Sequence, residues 1–233
     1  MVNNWLNIIQ KKLLPPRCVL CGDRGHADLD LCAACLADLP RNLSCCYCCG
    51  EHFEMTFAEP RLCGRCLKKP PSFDETYAPF LYQSQISYLI RQLKFANSYK
   101  NARLLGMLLA THISQTAQLP DCLLPVPLHP RRYRERGFNQ SIEIARHLSR
   151  QLDIPLDLHS CIRSRDTGHQ TSLPAKQRRK NMRRAFLLNK PIAAQHVAII
   201  DDVMTTGATA SALASVLKQG GVSRVDVWVC GRA

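Results

Sequence analysis

Residues 196–209 read HVAIIDDVMTTGAT, and residues 224–230 read RVDVWVC. The run HVAII is short, continuous and apolar, as expected of a strand covered on both faces. Residues 208–219, ATASALASVLKQ, read as a helix stopped by Gly220-Gly221. RVDVWVC then supplies a second strand. Strand, helix and strand within 35 residues form a βαβ unit. The sheet is therefore expected to be parallel and the fold class α/β.

This unit gives the two acids a place. Asp201 and Asp202 fall at the carboxyl end of a parallel strand, and Thr205, Thr206, Gly207, Ala208 and Thr209 form the loop into the next helix. Ligands of open α/β sheets bind at this edge. Backbone N–H groups at a helix start, approached through small residues, attract an anion. Two carboxylates repel a bare phosphate, but they suit a ligand with hydroxyls or a divalent cation beside its phosphate. A ribose 5-phosphate fits, with its diol on the aspartates and its phosphate on the loop. Adjacent strand residues point to opposite faces. The two carboxylates meet one ligand only if the chain turns there, and MTTGAT is expected to provide the turn. The stretch is neither a dinucleotide GxGxxG nor a P-loop.

Outward from this unit, residues 76–82 (TYAPFLY) read as a strand. Residues 85–113 show helical spacing, with Ile86, Leu89, Ile90 and Leu93 on one face and a second helix from about 101. A short buried strand interrupted by prolines is expected at 122–128, and a helix at 140–151. The start, MVNNWLNIIQKKLLPPR, lacks the layout of a signal peptide and reads as a short amphipathic helix. Apolar runs such as LLGMLLA (104–110) are too short to span a bilayer, so a cytoplasmic protein is expected.

The net charge of +13 is uneven. Residues 1–75 carry nine basic and nine acidic side chains, whereas 176–184 (KQRRKNMRR) holds six basic residues and no acid. Such a field attracts polyanions, either a nucleic-acid backbone or the phosphates of a small molecule, although a solvated basic face is the alternative. Tyr133 and Phe138 interleave with arginines, the mixture of single-strand grooves, with core or turn packing as the alternative. In RGFNQ (136–140), Arg136 and Asn139 either contact phosphate or belong to a simple turn, with Gln140 as a poor helix cap.

Ten of the thirteen cysteines lie between 18 and 66. They include four CxxC pairs: Cys18/Cys21, Cys32/Cys35, Cys46/Cys49 and Cys63/Cys66. Two such turns close a four-thiolate structural zinc site. Four pairs hold two Zn²⁺, with sequential pairing preferred to a cross-braced arrangement. In CCYCC (45–49), Cys45/Cys48 has the same spacing, but Gly50 follows the chosen pair. Cys122, Cys161 and Cys230 are isolated and expected to be core thiols. KKPPSFDET (68–76) marks a boundary, giving parts 1–70 and 71–233.

VAIIDDVMTTGAT (197–209) is similar to the phosphoribosyl-pyrophosphate (PRPP) motif of type I phosphoribosyltransferases, in which apolar residues precede two acids and a T-T-G-x-T-like turn. A generic αβ turn with a capping threonine is the alternative. Together with LLPVPLHPRRYRERGFNQS (123–141), RDTGHQTSLPAKQRRKNMRRAF (165–186) and the CxxC pairs, it makes nearly the whole chain resemble the ComF (ComF/GntX) family. That resemblance implies a type I phosphoribosyltransferase-like domain behind a zinc module, with a role in natural competence. It implies PRPP bound with Mg²⁺ by Asp201, Asp202, Val203, Thr205, Thr206, Gly207, Ala208 and Thr209, the aspartates also serving catalysis. Arg131, Arg132, Arg163, Arg165, Arg178 and Arg179 would neutralise the departing pyrophosphate. The implied partners are single-stranded DNA and competence machinery such as an associated helicase, met at the inner face of the membrane during DNA uptake. Two readings stay open, a phosphoribosyltransferase acting on an unidentified acceptor and a non-catalytic PRPP- or single-strand-binding adaptor. A metal-dependent transcription regulator ranks third. The doubled CCYCC departs from the simplest family pattern.

Overall fold

The computed structural model describes residues 15–165 and 185–233. A five-stranded parallel sheet lies at its centre. Strands β1 (Glu75–Tyr77) and β2 (Phe80–Leu81) form one edge against β7 (Arg224–Arg232), which pairs with β6 (His196–Met204), which pairs with β3 (Cys122–Pro125). Thus TYAPFLY is an interrupted strand. Its two pieces keep the same register on β7, Glu75 opposite Asp226 and Phe80 opposite Gly231. Between them Pro79 has no N–H to give the ladder. The carbonyls of Ala78 and Pro79 turn away to Asn42, accepting from its side-chain amide at 3.2 Å and its backbone N–H at 2.9 Å.

Alternate strand residues feed two cores. Ala198, Ile200, Trp228 and Cys230 face helices α3 (Ser84–Ala96), α4 (Tyr99–Thr116) and α6 (Gln140–Leu152). Val197, Ile199, Val227 and Val229 face helix α7 (Ala208–Gln219) and the antiparallel pair β4 (Cys161–Arg163) and β5 (Phe186–Leu188). The stripe Ile86, Leu89, Ile90 and Leu93 is fully buried, as its spacing predicts. Helix α4 starts at Tyr99, slightly before the expected position. Asn97 ends α3 in the left-handed conformation (φ 52), which an asparagine tolerates.

Strand β6 is longer than HVAII. It runs through both aspartates to Met204, because β7 extends alongside and pairs with it as far as Arg232. The chain therefore turns within MTTGAT, as expected, but only after the strand has carried both carboxylates, four residues beyond its expected end. Cys122, Cys161 and Cys230 are buried in the core as expected. Burial pushes the Cys122 thiol up to about 11 and that of Cys161 up to about 12.

The cysteine-rich part straddles the β1–β2 edge. Cys18, Leu31, Cys32 and Leu39 join the core of the α3/α4/α6 face. Cys46, Cys48, Cys49 and Cys66 join the core of the α7 face. Short helices α1 (Ala33–Ala37) and α2 (Gly64–Lys68) each carry the last cysteine of one half.

Candidate functional site: a carboxylate pair, an open helix start and two cysteine clusters

Asp201 shares a small pocket with Val203, Thr205, Thr206, Gly207, Ala208 and Thr209. Gly207 is the N-cap of α7 at φ 74 and has no side chain with which to cap that helix. Thr206 Oγ1 accepts from the Ala208 N–H at 3.3 Å. The helix start thus presents backbone N–H groups beside threonine hydroxyls, a geometry that favours anions. The Asp201 carboxylate accepts through Oδ1 from Ser141 Oγ and from the Asp202 N–H, both at 2.9 Å. Burial, and then the neighbouring Asp202 charge, push the Asp201 carboxyl up to about 7.

Asp202 adjoins the pocket, its carboxylate meeting that of Asp201, but takes its other partners from the helices. It is 3% exposed and does not line that pocket. Its Oδ2 pairs with Lys94 Nζ from α3, and its Oδ1 accepts from Gln140 Nε2 at 3.2 Å. Gln140 Oε1 in turn accepts from Arg136 Nη1 at 2.5 Å. Burial acts against the Lys94 charge, but Asp202 outweighs it and holds the ammonium above its ordinary range. The two aspartates therefore differ in their partners, although the same helix start reaches both.

RGFNQ is structural and polar at once. Asn139, not Gln140, is the N-cap of α6: its Oδ1 accepts from the Ser141 N–H at 2.9 Å. Its Nδ2 donates to the Val126 carbonyl at 3.0 Å, pinning the helix to the end of β3. This cap aims Gln140 and Ser141 at the aspartates. Phe138 is buried against Tyr99, with ring centroids 5.6 Å apart, so it is not a free stacking surface. Tyr133 and Tyr99 are the exposed aromatics here. Arg131 and Arg132 lie on α5 (Pro130–Arg136) and pair with Glu135 at 3.1 and 3.0 Å. Arg163 stacks over Phe186 in the β4–β5 hairpin, 5.6 Å from the ring centroid, and Arg165 is exposed just beyond it. Arg178 and Arg179, with the basic run 176–184, lie outside the described residues, as does most of the expected N-terminal helix. Beside the 205–209 loop, a groove of ≈ 860 Å³ runs along α7, walled by Arg65, Lys69 and Phe73 on one side and β5 on the other.

Lys94, Gln140 and Ser141 are the site groups that motif reading misses. Lys94 carried a readable signal, since it follows Ile90 by four positions on the buried stripe of an amphipathic helix. A charge placed there needs a partner inside.

The cysteines form two sets, Cys18/Cys21/Cys32/Cys35 and Cys46/Cys49/Cys63/Cys66, each with its sulfurs within 4.8 Å of one another. Cys21 and Cys32 Sγ stand 3.7 Å apart, and Cys49 and Cys63 Sγ 3.6 Å. Tetrahedral Zn–S bonds of ~2.3 Å place sulfurs about 3.8 Å apart, so both sets fit structural Zn²⁺ in the sequential pairing. Burial raises the Cys18 thiol, yet N–H groups of Cys32, Cys21 and Leu20 bring it down to about 6. Cys63 is likewise held at about 7 against burial, chiefly by the Cys66 N–H. Cys35 and Cys66 are pushed the other way, by the neighbouring Cys32 thiol and by burial respectively, so metal binding must displace protons within each set.

Comparison with known proteins agrees with this layout. Residues 9–67 match the double zinc ribbon domain family, and residues 139–230 match the phosphoribosyl transferase domain family. The chain is 37% identical over 216 residues to DNA utilization protein YhgH of Escherichia coli O157:H7, covering 91% of this chain and 88% of that one. It is 34% identical over 227 residues to competence protein F of Haemophilus influenzae, covering 93% and 97% respectively. Among solved structures, it is similar to the glutamine PRPP amidotransferase from B. subtilis (22% identity, TM-score 0.38, 55% of this chain and 25% of that one). A purine phosphoribosyltransferase from Pyrococcus horikoshii is also similar (18% identity, TM-score 0.35, 57% and 83%). With a double zinc ribbon ahead of a phosphoribosyltransferase-type sheet, and these relatives matched along most of their length, the chain belongs to the ComF family of competence protein F and DNA utilization protein YhgH.

Proposed function

We propose that the pocket at the end of β6 binds PRPP or a close ribose 5-phosphate relative, in the service of single-stranded DNA uptake or handling during natural transformation. One observation carries the ligand assignment: Asp201 and the start of α7 share one pocket. The loop N–H groups and threonine hydroxyls would take the 5-phosphate, and Asp201 would accept from the ribose hydroxyls. The names of the relatives support the DNA role. Residues 71–233 would carry this site, and residues 1–70 would hold the metal module. Mg²⁺ would ride on pyrophosphate oxygens and water.

Transfer would break the bond between the anomeric carbon and pyrophosphate, with the electron pair leaving on pyrophosphate and an acceptor nucleophile taking its place. Arg136, Arg131, Arg132, Arg178 and Arg179 are the cations for the departing charge. The adaptor reading differs by predicting binding without turnover. Calorimetric titration of the full chain with PRPP and Mg²⁺ tests the assignment. Wild type is expected to bind, and the double variant Asp201→Ala/Asp202→Ala to lose binding; equal binding by both would overturn the site. Pyrophosphate release, assayed with nucleobases and single-stranded DNA as acceptors, separates enzyme from adaptor. A DNA-dependent role at the inner face of the membrane, with a helicase partner, is tested by transformation efficiency of the same double variant and co-purification of the tagged chain.

A further inference from the structure

Between Gln83 and Pro120, the span of α3 and α4, the chain has no acid at all, against the cations Arg91, Lys94, Lys100 and Arg103. Of the six exposed aromatics among the described residues, three lie in this span, Tyr88, Phe95 and Tyr99, and a fourth, Tyr133, on α5. Tyr88, Arg91 and Phe95 follow one another at i, i+3 and i+7. They therefore line the outer face of α3, opposite the buried stripe Ile86, Leu89, Ile90 and Leu93. Across the left-handed turn at Asn97 come Tyr99 and Lys100. Phe95 is 71% exposed and Tyr99 55%. Tyr99 leans on buried Phe138, and one turn before Phe138 helix α5 exposes Tyr133 and Arg134. Arg91, Lys100 and Arg134 are exposed and form no ion pair among the described residues. This surface ends at the ligand site: Lys94, beside Phe95, reaches Asp202, and Gln140, two residues after Phe138, donates to the same carboxylate.

We infer that the outer face of α3 and the α3–α4 turn form the surface that holds single-stranded DNA, with bases stacked on Tyr88, Phe95 and Tyr99 and the backbone phosphates on Arg91 and Lys100. The inference rests on the DNA role proposed above and gives that role a place, on elements that the basic run 176–184 does not include. Rings that stack bases, interleaved with cations that follow the backbone, are what a strand without fixed sequence requires. Tyr88 and Phe95 stand about 10 Å apart along the helix axis, so they take different bases. A duplex keeps its bases stacked inside and offers these rings nothing. A membrane would take aliphatic side chains into its apolar layer, and neither α3 nor α5 exposes a Leu, Ile, Val or Met. The pair expected from sequence is thereby redrawn: Phe138 backs the surface, and Phe95 and Tyr99 face the strand.

Fluorescence anisotropy of a labelled oligothymidylate, titrated with the full chain, tests the surface. Wild type is expected to bind it more tightly than a duplex of the same length. Phe95→Ala should weaken the oligothymidylate about fivefold or more, and Phe95→Ala/Tyr99→Ala further still. Phe95→Trp and Tyr99→Phe, which keep a ring, should stay within about threefold of wild type. Phe95 is so exposed that Phe95→Ala should melt as wild type does, which separates a lost contact from a lost fold. The two kinds of residue also differ in their response to salt. Arg91→Gln/Lys100→Gln should flatten the slope of log affinity against log salt by about 1.4, at ~0.7 for each phosphate released, whereas Phe95→Ala should leave the slope unchanged. Equal oligothymidylate binding by wild type and Phe95→Ala/Tyr99→Ala overturns the surface and leaves the DNA role standing. The same holds if that double variant loses binding to phosphatidylglycerol vesicles and keeps the oligothymidylate, since the face then belongs to a membrane. Wild type failing to bind the oligothymidylate overturns the DNA role itself, and this inference falls with it.

Discussion

At the scale of single residues, the charge on Asp201 is held at a cost to the fold. Burial and the Asp202 charge hold its carboxyl up at about 7, above the ordinary carboxylate value. An acid raised in this way binds its proton more tightly when folded. The stability it contributes is present below the unfolded value near ~4 and is lost as pH rises through about 7. Asp201→Asn should therefore melt higher than wild type at pH 8, by about 2 °C or more, with the gain shrinking toward pH 5. On the function proposed above, the same substitution removes an acceptor for the ribose diol. Wild-type affinity for ribose 5-phosphate should rise between pH 6 and 8, beyond the phosphate's own second ionisation near ~6, and the variant should lose that extra rise. Thermal melts and calorimetric titrations over this range check both halves. A variant that melts no higher at pH 8 would show that the charge is not held under strain. These two aspartates and the threonine loop were legible because they are contiguous in sequence. Their partners were not: Ser141 and Gln140 stand 60 and 62 positions away, and only the folded sheet brings the α6 start to the β6 end.

At the scale of elements, the passage from β6 to α7 decides the site. The apolar run marks the strand only as far as Ile200, whereas the ladder continues to Met204. Hydrophobic pattern reports burial, and the last strand turns are held by hydrogen bonds to β7, which leave no such pattern. The edge strand was legible, but its interruption was not. Pro79 breaks the ladder, and the register is carried across the break by Asn42 from a distant segment. The α7 start, by contrast, was legible in its single glycine. Gly207 sits at φ 74, and an added Cβ would meet nothing closer than Phe73 at 3.4 Å. Conformation, not space, requires glycine there. Gly207→Ala is expected to cost about 1 kcal/mol, from the left-handed backbone alone. By moving the loop N–H groups it should also weaken ribose 5-phosphate at least tenfold. Gly207→Asn, which tolerates this conformation better, should lose less on both counts. Equal losses for alanine and asparagine, read by thermal melting and calorimetry, would argue for crowding instead.

At the scale of the whole molecule, the metal-binding half is bound into the cores of the sheet. One cysteine set packs on the α3/α4/α6 face and the other on the α7 face, so each sheet face is completed by one half of the module. Polar ties run through the same edge. Thr76 Oγ1 donates to the Cys48 carbonyl at 2.7 Å, and Arg103 pairs with Asp30 at 2.9 Å. Arg232, 4% exposed at the end of β7, donates to the Cys49 carbonyl at 2.9 Å and to the Met204 carbonyl at 3.3 Å, and also pairs with Glu51. It thereby joins the second cysteine set to the strand end that precedes the 205–209 loop. Metal that folds such turns supplies folding free energy, so its loss should reach beyond the module. The full chain is expected to release two Zn²⁺ per molecule to a colorimetric chelator. It should then unfold in one cooperative transition at a lower temperature, with loss of the near-ultraviolet signal from buried Trp228, instead of shedding a separate small module. Cys49→Ser, at the set tied to Arg232, should lower both zinc stoichiometry and ribose 5-phosphate affinity. Cys21→Ser, at the set on the opposite face, should lower stoichiometry with a smaller effect on the ligand. A sheet whose melting temperature stays unchanged after both ions are stripped would mean that the shared cores stand without metal.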